Sequence, residues 1–568
     1  MNKLKTKHFT ILFLGILFFS ISYSFLSLQS LSLENNENFI EVGNSNNLKA
    51  SDISFNSILN ASMANASFFG EHSDDESGRY ITGVGDVNND GYDDFLIAAY
   101  KNDDFGDDSG KAYLFYGGDS IWTSNLNCSN ANASFYGEST SNFFGGAVST
   151  AGDINNDGYD DFLIGAYKND DFGYNTGKAY LFYGGDSIWS RDTNCSNANA
   201  SFYGESTSNF FGGAVSTAGD MNNDTYDDFL IAAHANDDGG VLSGKAYLFY
   251  GGESIWDKNT NCSNANASFY GESASNQFGG AVSTAGDVNN DEYDDFLVSA
   301  TKVGVDSKTY VGKAYLFYGG ESIWESNMNC SNANASFIGE SSTDHFGDVL
   351  SAAGDVNNDA YDDFLIGTDR NDEGADSAGQ TYLFFGGDSI WLTDMSCTSA
   401  NGSFIGQNED ESSGCSIAGA GNFNNDEYAD FLIGAEGYDG NEIGESNVTG
   451  RIYVFLGAPS GWKMDTNCSK ANLTIMGKDK TEYFGSSVAF IGDINNDGTD
   501  DILGGAYQNS DEAEKAGKVY LFVGNNYNIN PGGNGDPTLL IPGYDFYFIL
   551  GILGFSSIIL TVFKIKRK

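Results

Sequence analysis

The nine residues Asp86-Val87-Asn88-Asn89-Asp90-Gly91-Tyr92-Asp93-Asp94 place side-chain oxygens at positions 1, 3, 5 and 9 of one short turn. Together with the backbone carbonyl of position 7, these oxygens can converge on a single hard cation. Calcium takes 6–8 oxygens at about 2.3–2.6 Å, and a bidentate closing carboxylate helps to fill that shell. No His or Cys joins the set, which disfavours softer metals. The expected ligands are Asp86, Asn88, Asp90, Asp94 and the carbonyl of Tyr92.

The turn recurs six more times. The equivalent ligand sets are Asp153, Asn155, Asp157, Tyr159, Asp161; then Asp220, Asn222, Asp224, Tyr226, Asp228; then Asp287, Asn289, Asp291, Tyr293, Asp295. They continue as Asp355, Asn357, Asp359, Tyr361, Asp363; then Asn422, Asn424, Asp426, Tyr428, Asp430; and finally Asp493, Asn495, Asp497, Thr499, Asp501. One such turn is a moderate signal, but seven in phase point to as many as seven structural Ca²⁺ ions. The sixth turn opens with Asn422 and lacks one carboxylate, so it is expected to be the weakest. Position 6 is Gly at 91, 158 and 498 but Thr225, Glu292, Ala360 or Glu427 elsewhere. A left-handed backbone there would cost a non-glycine residue about 1–2 kcal/mol.

The elements that position these turns repeat with them. Turn starts are spaced by 67, 67, 67, 68, 67 and 71 residues, and a Gly precedes each start by eight. Apolar or alternating runs bounded by Gly, Asn and Asp read as short strands. One unit supplies four: Phe144–Thr150, Asp161–Ala166, Lys178–Tyr183 and Ala200–Tyr203. Seven four-stranded antiparallel units predict an all-β, seven-bladed β-propeller, an architecture with few free sheet edges. The last unit stops after its third strand. Ala64–Phe69 matches the fourth strands of the other units, so the N-terminal strand is expected to complete blade seven.

The Phe-Gly pair, the acidic turn and the following Ile-Gly-Ala (Ile164-Gly165-Ala166, Ile433-Gly434-Ala435) resemble the FG-GAP repeat of integrin α-subunit propellers over roughly residues 60–524. The resemblance implies calcium turns between the first and second strands on a lower face. It places ligand contacts on the opposite, upper face. The Pro of that pattern is replaced throughout, by Tyr100, Tyr167, His234, Thr301, Asp369, Glu436 and Tyr507, and the Phe by Ser77 and Ser413 in two blades.

The termini suggest display outside a cell. Residues 1–28 read as a signal peptide, with Lys3, Lys5 and Lys7 before an apolar run, or as an uncleaved anchor. A linker over 29–59 follows. After the propeller come a Gly/Pro/Asn linker over 525–545, an apolar run at 546–563 read as one transmembrane helix, and a basic tail at 564–568. The positive-inside rule makes that tail cytoplasmic. Ile541-Pro542-Gly543-Tyr544 is similar to archaeal sorting signals, so lipid replacement of the helix stands as an alternative to a plain span.

A formal charge of −52 without a basic patch excludes nucleic acid as a partner class. Six of the seven cysteines recur once per unit, at positions too far apart for disulfides between them. Six tryptophans (122, 189, 256, 324, 391, 462) recur likewise, read as inter-blade packing with a glycan platform as the alternative. Sequons at Asn127, Asn132, Asn194 and Asn199 are either glycosylation sites or Asn/Ser-rich turns. Selectivity is expected where units differ most, in the loops between second and third strands, which carry Phe105, Phe172 and Tyr310 among acids. The sequence therefore reads as a non-enzymatic adhesion or recognition module for extracellular proteins or glycans, self-association included. A passive surface coat and an extracellular carbohydrate-active enzyme are the alternatives.

Overall fold

The computed structural model describes residues 57–524 apart from 120–121, 123–124, 187–188, 254–255, 322–323, 389–390 and 440–447. The expected signal peptide, most of the N-terminal linker, the C-terminal linker with its sorting-like motif, the apolar run and the basic tail lie outside the described residues. Among the described residues no helix is long and apolar enough to cross a membrane.

Seven separate sheets form. Blade one takes Tyr80–Gly85, Asp94–Ala99, Lys111–Phe115 and Ala133–Tyr136 as successive antiparallel strands. The first strand of each blade lies against those of both neighbours, and blade seven meets blade one, so the ring closes. Blade two uses Ala147–Gly152, Asp161–Ala166, Lys178–Phe182 and Ala200–Tyr203, the strands expected from the repeat. Its second and third strands are buried at every position, which is why they read as continuous apolar runs rather than alternating ones.

Closure follows the expected plan. Ala66–Phe69 pairs antiparallel with Lys518–Phe522 and completes blade seven. The structure adds a fifth strand that the repeat pattern does not show. In blades one to five a two-residue strand from the following unit, such as Thr193–Asn194, pairs parallel with the fourth strand. Asn125–Asn127 does the same for blade seven. For blade six the fifth strand is Ser57–Asn60, a segment that reads as linker in the sequence. The N-terminal segment thus contributes to two adjacent blades.

The cores lie between blades. Leu96, Leu114 and Phe135 of blade one pack with Phe162, Ile164 and Phe182 of blade two in one buried cluster. Cross-strand Phe162 and Phe182 stack at 5.1 Å between ring centres, and Trp189 closes edge-on against Phe182 at 5.3 Å. Trp189 also meets Phe135 of blade one at 5.4 Å, and its indole N–H donates to Tyr183 O at 3.2 Å. These contacts favour inter-blade packing over a stacking platform. Each recurrent cysteine opens a single 3-10 turn and is buried; Cys128 sits behind Asn127, whose side-chain oxygen accepts from Ser129 N–H. Asn194 caps its turn in the same way, while Asn132 and Asn199 accept from Tyr116 and Tyr183 N–H. All four sequon asparagines therefore hold local structure through their oxygens. The seven cysteines are free thiols.

Candidate metal centres

Every acidic turn joins the first and second strands of its blade, so all seven occupy one face of the ring, and the variable loops between second and third strands occupy the other. In turn one the backbone wraps around its own acids. Asp86 accepts from Asp90 N–H at 3.0 Å and from Gly91 N–H at 2.7 Å, and Asp90 accepts from Tyr92 N–H at 3.2 Å. Asp94 is fully buried and clamps the turn to the end of the third strand, accepting from Val87 N–H at 3.2 Å and Gly117 N–H at 2.8 Å. Position 4 is left-handed in all seven turns, always an Asn, the non-glycine residue that tolerates this best.

The structure brings the expected ligand residues of each turn into one loop. A test of fit comes from Asn88: its Oδ1 is buried and has no hydrogen-bond partner, at a position where the sequence expects a metal ligand. The electrostatics agree. Burial and the carboxylates of Asp86 and Asp90 push Asp94 up to about 8. Asp161, Asp228, Asp295, Asp363 and Asp501 are pushed up to about 8 by the same burial and by their own neighbouring acids. A cation among them would remove that cost, and the donor set of carboxylate, amide and carbonyl oxygens suits calcium.

Turn six differs as its opening residue predicts. Asn422 Nδ2 donates to Asp426 O at 2.7 Å, where an aspartate can only accept. Thr225, Glu292 and Ala360 adopt the left-handed conformation at position 6, but Glu427 does not. In the other turns the position-6 N–H is held by the second oxygen of the opening Asp, as for Thr225 on Asp220 at 2.8 Å. Asn422 presents a donor in that place, so the loop takes another path. Asp430 accordingly rises less, to about 7, through burial first and Asp426 after it.

A position that the motif leaves unassigned is the eighth. Asp160 of turn two reaches across the blade boundary and accepts from Asp86 N–H at 2.8 Å. The signal lies in the sequence as the Asp-Asp doublet that ends six of the seven turns. Gly85, with φ +68°, makes room: a Cβ there would lie 2.1 Å from Asp160 Oδ2.

On the other face, a second acidic group, Glu71, His72 and Asp104, brings its ligand atoms within 4.8 Å of one another. The Lys111 ammonium already sits there, 2.8 Å from both Glu71 Oε1 and Asp104 Oδ2, so this group is an ion-pair cluster. Lys178 and Lys245 repeat it with Glu138 and Asp171, and with Glu205 and Asp238. Phe105, Phe172 and Tyr310 are exposed as expected, and Tyr174, Val241 and Leu242 join them, all in the loops of blades one to four. Phe105 stacks on Tyr136 at 3.5 Å and Phe172 on Tyr203 at 3.6 Å, which holds these exposed rings in fixed orientations.

Three stretches, residues 79–115, 144–182 and 484–522, match the FG-GAP repeat family; they carry the first three strands of blades one, two and seven. Among curated proteins, integrin alpha-8 of Gallus gallus is 30% identical over 176 residues, 30% of this chain and 16% of that protein. Integrin alpha-5 of Xenopus laevis is 28% identical over 204 residues, 34% of this chain and 18% of that protein. Phosphatidylinositol-glycan-specific phospholipase D of Bos taurus is 29% identical over 205 residues, 35% of this chain and 23% of that protein. The matched region spans less than a quarter of each of these relatives. FG-GAP repeats in a closed ring, with shared integrin α sequence, make this an integrin-like propeller.

Proposed function

We propose that the chain is a calcium-carrying propeller displayed outside the cell, where it recognises extracellular proteins or glycans, a second copy of itself among them. The observation that carries this reading is the division of labour between the two faces. One face repeats an oxygen-rich acidic turn seven times, and the other varies from blade to blade and holds exposed, oriented aromatic rings in blades one to four. Calcium in the turns would fix the first and second strands of every blade and so hold the opposite loops in place. The charged apolar ends of the chain, read from sequence, supply secretion and membrane attachment in this account.

The test is a binding screen of the chain against glycans and surface proteins, with and without EDTA. A ligand whose binding needs calcium and is lost on changing Phe105, Phe172 and Tyr310 to Ser supports the reading. Binding that survives those changes would move the ligand surface elsewhere, and self-assembly as the sole interaction would favour a passive coat. The stretch shared with a phospholipase D gives a second reading, an extracellular hydrolase, and turnover of glycosylphosphatidylinositol or polysaccharide substrates by the chain would establish it.

A further inference from the structure

The seven turns are joined to one another, and the joint is the eighth residue. Asp160 accepts from Asp86 N–H at 2.8 Å, Asp227 from Asp153 N–H at 2.8 Å, and Asp294 from Asp220 N–H at 2.8 Å. Asp362 holds Asp287 N–H at 3.0 Å, Asp500 holds Asn422 N–H at 2.7 Å, and Asp93 holds Asp493 N–H at 2.7 Å, across the closure of the ring. In five of these joints the eighth residue also donates its own N–H back to the carbonyl of the opening residue, as Asp160 does to Asp86 O at 3.3 Å.

The opening aspartate of a turn accepts two backbone N–H groups of its own loop, as Asp86 does from Asp90 and Gly91. Its backbone is held from outside, by the next blade. We infer that each position-8 aspartate is a positioning residue for the metal centre of the preceding blade. Ordering one turn around its ion thereby prepares the turn before it, and calcium loading spreads around the ring. This inference rests on the calcium reading proposed above.

The geometry also predicts where the chain of joints breaks. Blade six carries Ala429 at position 8, so only the backbone half of the joint remains, with Ala429 N–H donating to Asp355 O at 3.0 Å. A Cβ built on Gly354 meets Ala429 Cβ at 2.9 Å, whereas one built on Gly85, Gly152, Gly219, Gly286 or Gly492 meets an aspartate carboxylate. Centre five therefore lacks the carboxylate part of its external brace, and centre six lacks an opening carboxylate. Blades five and six form a seam with the weakest binding in the ring.

Calcium isotherms of the full chain, measured by equilibrium dialysis, test this. Asp160→Ala should weaken one site by about 10-fold, in the range of outer-shell changes at metal sites. The loss should vanish when centre one is already disabled by Asp90→Ala, and persist when centre two is disabled by Asp157→Ala. The reverse pattern would show that Asp160 acts in its own turn and would overturn the inference, as would an isotherm unchanged by Asp160→Ala. Ala429→Asp supplies a gain in place of a loss: one weak site should tighten, and a variant that folds as before without tightening counts against the joint. If the unaltered chain binds no calcium in millimolar solution, the parent reading fails and this inference fails with it.

Discussion

Chelation should destabilise the propeller strongly at pH 8.5 and hardly at all at pH 5. Binding in the range of extracellular modules, with dissociation constants of about 10⁻⁴–10⁻³ M, stabilises by about 0.4–1.4 kcal/mol per centre in 1 mM calcium. Seven centres give about 3–10 kcal/mol by the same relation. Unfolding entropy of about 2.1 cal/mol/K per residue over the 57–524 span makes 1 kcal/mol worth about 1 °C, so EDTA should lower Tm by about 3–10 °C at pH 8.5. The pH dependence follows from the closing carboxylates. In the metal-free fold they are raised from 3.8 to about 8, and to about 7 for Asp430. A raised carboxylate stabilises the fold fully below its unfolded value and loses that contribution as pH climbs through the folded one. The metal-free protein should therefore lose stability between about pH 4 and pH 8. The calcium-loaded protein, whose carboxylates are ionised against the ion, should not. Differential scanning calorimetry with calcium or EDTA at the two pH values decides the matter. An equal shift at both, or none at pH 8.5, would refute the convergence of these acids on a cation.

Three further outcomes are expected. Phe68→Ala removes a fully buried ring packed between Phe95, Phe115 and Trp122, and should cost about 3–5 kcal/mol in urea unfolding. Lys245→Met strands Glu205 and Asp238, and because both carboxylates keep some water the cost should be about 2 kcal/mol, below the ~3–5 of a fully buried pair. Gly152→Ala forces a side chain onto a φ of +74° and against Asp227 Oδ2, 2.1 Å away, so it should lower the denaturation midpoint by more than the about 1–2 kcal/mol of the backbone term alone.

The ring was legible because its signal is repeated: seven phased turns and four strand-like runs per unit fix the architecture, and Ala64–Phe69 names its own partner by resemblance to the other fourth strands. The fifth strands were not legible, since two residues such as Thr193–Asn194 have no periodicity to read, and they pair with another unit. Ser57–Asn60 is hidden for the same reason. In the turns, the recurring oxygen-bearing positions were readable from the repeat, whereas the contact of Asp160 was not: its partner, Asp86 N–H, lies across a blade boundary and 74 residues away. Turn six was legible in kind, from Asn422, but its altered backbone at Glu427 was not, because it depends on the Asn422 amide donating within the folded loop.

The borrowed edge strands bear on how such a chain can change its number of units. Because blades one to five are each finished by residues encoded one unit later, the genetic module and the folded blade are out of step. Duplicating one 67-residue period would insert a complete set of lent and borrowed edges, whereas a cut at a blade's visible boundary would orphan one on each side. Growth or shrinkage of the array is thus tolerated by whole periods but not at its start, where a single N-terminal segment already serves two neighbours and has no spare copy.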